Sequence, residues 1–291
     1  MNSSVVRRLV RYGMPVSWAL QAATLNASYR LARPDLGIIA PGRRADIALF
    51  EDLHDLKATA VIANGETVAA DGVLSQSTVR TDTAALAKSV KCSQLGPDDF
   101  KVRSAGSKVE LATIDRPRFT RWGQATTTVV DGYVVPPKQA TLISVIHRHG
   151  RAPAQPKTGY LTGWGDWRGA FCTTVSHDSH NVTVFGGNER DMAVAANWVI
   201  ANQGGMAVAK DGQILAALAL PLSGLITDAP LAETATRFER LRNAMDEIVE
   251  WEPPYLVFKA CFGATLACNN GPHQTDLGIS DTTRDNPLET P

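Results

Sequence analysis

The sequence predicts a mixed α+β protein in which helices and strands occupy separate stretches of the chain. Three patterns support this prediction. Apolar residues recur at helical spacing near the start, short β-branched runs divided by turns fill the middle, and the C-terminal half alternates such runs with two amphipathic helices. With 291 residues and a hydrophobic content of 44%, the chain is long enough to bury a core in two domains.

The first part of the chain is predicted to contain two helices followed by short strands. An apolar stripe in residues 5–10 ends at Gly13, and Pro15 suits the first turn of a second helix that runs to about Leu31. Asn64 begins a two-residue hairpin turn with the glycine after it. The other elements predicted here are strands at 47–50, 60–63, 67–70 and 73–80, and a short helix at 83–90.

The middle of the chain is predicted to be rich in strands. Residues 129–135 have the pattern of a tight hairpin, and residues 141–146 form an apolar run typical of a buried strand. Residues 159–167 are predicted to be a flexible aromatic segment. Its Trp164 and Trp167 are better explained by packing than by ligand binding.

The C-terminal half is predicted to contain two helices with a hairpin between them. Asn188 and Asp191 have the spacing of a capping box at the start of the first helix. A hairpin is predicted about Asp211 and Gly212, and the second helix spans about 231–251. The predicted buried faces are Met192, Ala195, Ala196, Val199 and Ile200 in the first helix, and Phe238, Leu241, Met245 and Ile248 in the second.

Charge and cysteine content argue against several classes of protein. The 29 Lys and Arg residues balance the 29 Asp and Glu residues, so no net field favours nucleic acid or an anionic membrane. No apolar run suits a signal peptide or a membrane span. We therefore expect a cytoplasmic protein with reduced thiols, no nucleic-acid partner and no membrane partner. The cysteines, which lack C-x-x-C spacing, are Cys92, Cys172, Cys261 and Cys268.

A polar loop between the apolar runs 169–175 and 182–185 is the first candidate site. The Ser-His-Asp string in this loop does not make a nucleophilic triad, because adjacent side chains of an extended chain point to opposite faces. Two interpretations remain: histidines that bond neighbouring backbone, or a loop that lines a pocket or an interface. The polar side chains of the loop are Ser176, His177, Asp178, Ser179, His180 and Asn181.

The pair His147 and His149, directly after the run 141–146, is the second candidate. Alternate residues at a strand end point the same way and can hold one metal ion. A polar cap of the strand and a contact in a pocket or interface are the alternatives.

Several segments resemble a known family. Residues 22–28 and 37–46 are similar to the last helix of an amidohydrolase barrel and the re-entry into a small β-sandwich. The later segments resemble the C-terminal domain of bacterial adenine deaminases, and the most specific of them is 175–182. These later segments are 148–150, 175–182, 187–188, 191–193, 204–206, 220–225 and 258–278.

The resemblance implies an architecture in three parts. Residues 1–35 would be the terminal helices of a barrel that is otherwise missing, residues 36–95 a small β-sandwich segment, and residues 96–291 an α+β sandwich domain. In the family the H-x-H pair opens the barrel, whereas His147 and His149 follow its closing motif. The residues after this pair are also too few for a (β/α)₈ barrel, which needs ~200 residues or more. The resemblance therefore argues against a metal role for this pair.

The resemblance also implies an activity. Adenine deaminases convert adenine and water to hypoxanthine and ammonia in purine salvage, and manganese or iron ions activate the water. The barrel residues that hold these ions have no counterpart here, so we expect no metal ligand in this chain and no activity from the chain alone. The candidates for pocket contacts at the mouth of the barrel are His177, Asp178, His180 and Asn181.

Two hypotheses about function follow from these expectations. In the first, the chain is part of an adenine deaminase, acts on adenine only within the complete enzyme, and forms a homo-oligomer or pairs with a complementing N-terminal barrel fragment. In the second, it is a non-catalytic standalone module that binds a barrel-containing partner or a purine.

Overall fold

The computed structural model describes residues 3–53, 55–75, 81–117, 119–252, 257–268, 270–284 and 288–289. The chain divides into two compact units, Met1–Thr81 and Asp82–Pro291. The predicted α+β class is confirmed, because each unit combines helices with antiparallel strands.

The first unit contains helices followed by a small sheet. Its core is small, and Val6, Ala19 and Leu56 are the buried apolar residues of its cluster. The predicted helices and hairpin are confirmed, although strand structure after residue 72 covers only two residues, and residues 76–80 of the predicted strand lie outside the described part. The elements are α1 Ser3–Arg11, α2 Val16–Gln21, a π-helical turn Ala22–Asn26, α3 Ala27–Arg30, and a sheet, in chain order, of β1 Ile47–Phe50, β2 Ala58–Ala63, β3 Glu66–Ala70 and β4 Val73–Leu74.

The second unit is organised around a sheet of nine strands. The strands are β5 Lys108–Asp115, β6 Arg121–Val130, β7 Tyr133–Val134, β8 Thr141–Ile146, β9 Lys157–Thr162, β11 Ala170–Thr173, β12 Val182–Gly186, β13 Gly205–Lys210 and β14 Gln213–Ala219, with β10 Asp166–Trp167 outside this sheet. Their spatial order is β14-β13-β11-β12-β8-β9-β5-β6-β7. The described pairs are antiparallel except for β5 with β9, which run parallel.

Helices cover both faces of this sheet. Neighbouring side chains of a strand point to opposite faces, so Cys172 and Val184 pack against α4 (Glu189–Ala201). Phe171 and Phe185 belong instead to the core that includes α5 (Leu231–Ile248) and α6 (Val257–Gly263). The remaining elements are β15 Val249–Glu250, which pairs with β10, the small sheet β16 His273–Thr275, β17 Gly278–Ser280 and β18 Leu288–Glu289, and two 3₁₀ turns, Ala84–Leu86 and Pro97–Phe100.

Most predicted elements of this unit are confirmed, but the helix predicted at 83–90 was wrong. Only Ala84–Leu86 is helical, as a 3₁₀ turn. The following backbone groups bind partners far away in the chain, since Val90 N donates to Gln203 Oε1 at 3.2 Å and Ser89 O accepts from Arg148 at 3.1 Å. A continued helix could not make these bonds.

The prediction of a flexible aromatic segment at 159–167 was also wrong. β9 lies inside the nine-stranded sheet, between β8 and β5, and Trp164 is fully buried. The preference for a packing role is confirmed, because Trp167 also stacks on Phe185 with ring centroids 6.1 Å apart. Helix α5 ends three residues earlier than predicted, because the residues after Ile248 pair with β10 instead.

Within the described part of the chain, no helix combines the length and apolarity that crossing a bilayer requires.

Candidate functional site

Both histidine pairs lie at the same end of the nine-stranded sheet. The loop 174–181 joins β11 to β12, and Val182 at the start of β12 pairs with Ile146 at the end of β8. His147 and His149 follow β8 directly, so this antiparallel pairing brings them next to His177 and His180 of the loop. The sequence places these pairs about thirty residues apart and predicts no relation between them.

The base of the loop is held by buried hydroxyl groups. Ser176 Oγ lies 2.8 Å from Thr265 Oγ1, just beyond α6, and accepts a bond of 2.8 Å from Thr183 Oγ1. Ser176 is 1% exposed, whereas His177 and Asp178 lie on the surface. The expectation that Ser176, His177 and Asp178 form no triad is therefore supported by where the three side chains lie.

Arg148 lies beneath the loop and joins three segments. Its side chain is buried, its Nε donates to His180 O, its Nη1 donates to Ser89 Oγ at 2.9 Å, and its Nη2 donates to Ser223 O at 2.9 Å. Burial lowers the pKa of this guanidinium below its ordinary value. The cation holds the loop through backbone carbonyls, which are strong acceptors for a charged donor.

Asn181 is also an internal residue of this site. It is 2% exposed, its Oδ1 accepts from Arg148 N at 3.3 Å, and its own N–H donates to Ser179 Oγ at 3.3 Å. These bonds fix the end of the loop at the start of β12.

The ring nitrogens of His147 are both engaged. Its Nδ1 lies 2.9 Å from Asp276 Oδ2, to which it donates, and its Nε2 accepts from Arg151 N at 3.2 Å. His149 Nε2 donates to Ser179 O at 3.0 Å. His147 therefore caps β8 and ties it to the turn after β16, and no nitrogen of its ring is left for a metal ion.

His180 differs from the other histidines of this site. Its Nδ1 is buried and has no hydrogen-bond partner among the described residues. Burial lowers the pKa of His180, and the charges of His177, Arg148 and His149 lower it further. At neutral pH the imidazole of His180 is therefore neutral and can act as an acceptor or a ligand.

The outer surface of the loop carries a group of three possible ligands. Ligand atoms of His177, Asp178 and Cys268 all lie within 4.8 Å of one another. His177 Nδ1 contacts Asp178 Oδ1 directly, and the side chains are 58% and 43% exposed. His177 and His180 stand edge to face with ring centroids 6.1 Å apart.

Sequence reasoning assigned no role to Arg148, Asp276 or Cys268. They are brought to the loop by strand pairing and by the bond from Ser176 to Thr265, contacts that carry no local signal in the sequence. The hints for Arg148 were its position as a charged residue next to an apolar run and its place in the segment 148–150, which resembles the family.

Comparison with known proteins places the chain among adenine deaminases. The profile of the adenine deaminase C-terminal domain matches residues 117–286, and the amidohydrolase family profile matches residues 1–68. Adenine deaminase 2 of Rhizobium etli is 61% identical over 287 residues, which cover 99% of this chain and 48% of the relative. Adenine deaminases of Klebsiella pneumoniae and Cereibacter sphaeroides are 45% and 37% identical, each over 96% of this chain and 47% and 49% of their own lengths. The chain thus spans about half the length of the curated relatives it matches.

Proposed function

The chain belongs to the adenine deaminase family, and from this premise we propose that it is the C-terminal portion of a metal-dependent hydrolase that converts adenine to hypoxanthine and ammonia. The observation that carries the proposal is the identity of 61% to an adenine deaminase along 99% of the chain. The reaction would serve purine salvage in the cytoplasm.

The loop 174–181 is the part of this chain that we assign to the active site of the complete enzyme. Its polar tip is exposed while its base is fixed by Ser176 and Arg148, so the histidines are presented on a rigid support. His180 is neutral because its pKa is lowered, and its buried Nδ1 has no hydrogen-bond partner among the described residues, so the ring keeps an unused hydrogen-bonding position. We propose that His177 or His180 contacts the purine or the groups around it.

The described residues do not fit the manganese or iron centre that this chemistry uses. Such a centre needs several imidazole and carboxylate ligands in one closed shell. The group of three close ligand side chains among the described residues, His177, Asp178 and Cys268, contains an exposed thiol instead. Both ring nitrogens of His147 already have hydrogen-bond partners. We therefore propose that the catalytic metal is held by residues outside 1–291.

The first unit carries features of a surface that packs against another protein segment. Its helices and the turn after α1 leave large aromatic side chains exposed, with Tyr12 at 78%, Trp18 at 67% and Tyr29 at 74%. Exposed aromatic groups at this density are typical of an interface. We propose that they pack against the barrel portion of the complete enzyme, whether in the same polypeptide or in a complementing one.

The test is ammonia release from adenine in the presence of Mn²⁺ or Fe²⁺. The polypeptide of residues 1–291 is assayed alone and with a separately produced fragment that contains the preceding half of the Rhizobium etli relative. We expect no turnover from 1–291 alone and metal-dependent turnover from the complex, with complex formation checked by gel filtration. Turnover by 1–291 alone, or an assembled complex without turnover, would contradict the proposal.

A further inference from the structure

His177, Asp178 and Cys268 form the one group of three or more metal-binding side chains found within the described residues. A tetrahedral zinc shell, with bonds of about 2.0–2.3 Å, sets its ligand atoms roughly 3.5 Å apart. The ligand atoms here lie within 4.8 Å of one another, so a shift of about 1 Å closes the shell. All three side chains are exposed, and the direct contact between His177 Nδ1 and Asp178 Oδ1 opens when the ion enters.

The chemistry of these ligands selects a particular class of cation. Thiolate with imidazole suits Zn²⁺ and Co²⁺, whereas Mg²⁺, Ca²⁺ and Mn²⁺ prefer shells made of oxygen. The thiolate of Cys268 and the carboxylate of Asp178 together offset the two positive charges of the ion. Three protein ligands leave the fourth position of a tetrahedral ion for water.

The two segments that carry the ligands are fastened to each other. Ser176 precedes His177 directly, and its hydroxyl is bonded at 2.8 Å to Thr265, three residues before Cys268. The other side of the loop is fixed by the bond from Arg148 Nε to His180 O. The ligands are therefore held close together by buried contacts, which reduces the entropy cost of closing a metal shell.

We propose that His177, Asp178 and Cys268 bind one Zn²⁺ or Co²⁺ ion on the surface of the second unit, at a site separate from the catalytic metal of the complete enzyme. This departs from the expectation that the chain holds no metal. The site would cross-link the loop to the segment after α6.

The test uses the polypeptide of residues 1–291 after removal of metal with a chelator. Titration with Co²⁺ should produce a sulfur-to-cobalt charge-transfer band in the near ultraviolet that saturates at one equivalent, and Zn²⁺ should abolish it. Cys268→Ser should remove the band, and His177→Ala should weaken binding at least tenfold, or about 1.4 kcal/mol. Because both side chains are exposed, the thermal unfolding midpoint without metal should stay the same in both variants.

The matched control is Cys92→Ser, which removes a different thiol and keeps a donor for His147 O, the partner of Cys92 Sγ at 3.5 Å. This variant should retain the band. A band that persists in Cys268→Ser, a band lost in Cys92→Ser, or no band in the unmodified chain would overturn the proposal. The measurement involves no adenine, so its failure is independent of the deaminase proposal.

Discussion

At the scale of single residues, Arg148 is a buried cation whose partners among the described residues are three carbonyls and a hydroxyl. Burying a charge is costly unless strong hydrogen bonds replace its hydration. Its neighbour Gly224 has a φ of +72° and leaves room for the guanidinium, since a Cβ at this position would lie only 2.9 Å from Nη1 and would clash with it.

Replacing Arg148 by Met should lower the free energy of unfolding by about 3 kcal/mol, because buried carbonyls lose their charged donor. The measurement is urea unfolding. Arg237→Met removes an exposed arginine paired with Glu233 one helical turn away and should cost less than about 0.5 kcal/mol. Similar losses for the two variants would contradict the structural role of Arg148.

Alanine is placed separately at the positions of His177 and His180 in a full-length adenine deaminase. At least one of the two variants should lower kcat/KM at least tenfold, since it would lose a contact near the reacting purine. Steady-state kinetics and circular dichroism are measured together. Thr236→Ala, on the exposed face of α5, serves as the control and should leave kinetics unchanged. Unaltered kinetics in both histidine variants with normal folding would remove the loop from the active site.

Stability of the second unit should fall as the pH drops below about 6.5. Burial lowers the pKa of His273, more than the bond from its Nδ1 to Gly271 O and the charge of Asp281 raise it. The unfolded chain therefore binds a proton more readily than the folded chain in this window, and stability decreases as protons are added. Thermal unfolding at about pH 5 and pH 7.5 measures the difference, which should shrink in His273→Gln. An equal difference in that variant would assign the effect to other groups.

At the scale of elements, the start of α4 shows how a local signal acquires a tertiary role. The predicted cap is confirmed, because Asn188 Oδ1 accepts from Asp191 N at 2.8 Å. The Asp191 carboxylate does not complete a capping box but accepts from Gly212 N at 2.7 Å and Asp211 N at 3.3 Å. These hydrogen bonds join the start of the helix to the turn between β13 and β14.

Asp191→Ala should lower the free energy of unfolding by about 2 kcal/mol, because two turn N–H groups and the cap lose a buried, charged acceptor. Glu189→Ala changes a carboxylate in the same helical turn without that contact, and should cost less than about 1 kcal/mol through the helix dipole. Chemical denaturation of both variants provides the comparison. An equal loss of stability in Glu189→Ala and Asp191→Ala would contradict the stabilising role of the bonds between Asp191 and the turn.

At the scale of the whole molecule, the elements with strong local signals were predictable and their arrangement was not. The turn at Asp211 and Gly212 and the apolar face of α4 are local patterns, and both were found. The parallel pairing of β5 with β9 and the convergence of the two histidine pairs depend on contacts between residues far apart in sequence. A buried strand such as β9, with Gly159 and polar threonines, has no alternation that would reveal it.

Amide hydrogen exchange should separate the two units. The first unit has a small core and short strands whose residues are mostly half-buried or exposed, whereas the second has helices on both faces of a nine-stranded sheet. We expect the slowest amides in residues 109–270 and faster exchange throughout residues 3–75. Equal protection of both regions would contradict this difference.

The strand order of the large sheet also bears on how the chain can assemble while it is being synthesised. Its strands form four groups that lie side by side in chain order, β5 to β7, then β8 and β9, then β11 and β12, then β13 and β14. Each group can therefore dock on the open edge left by the one before it as the polypeptide leaves the ribosome. Each described strand of this sheet pairs only with strands of its own group or of a group next to it in chain order.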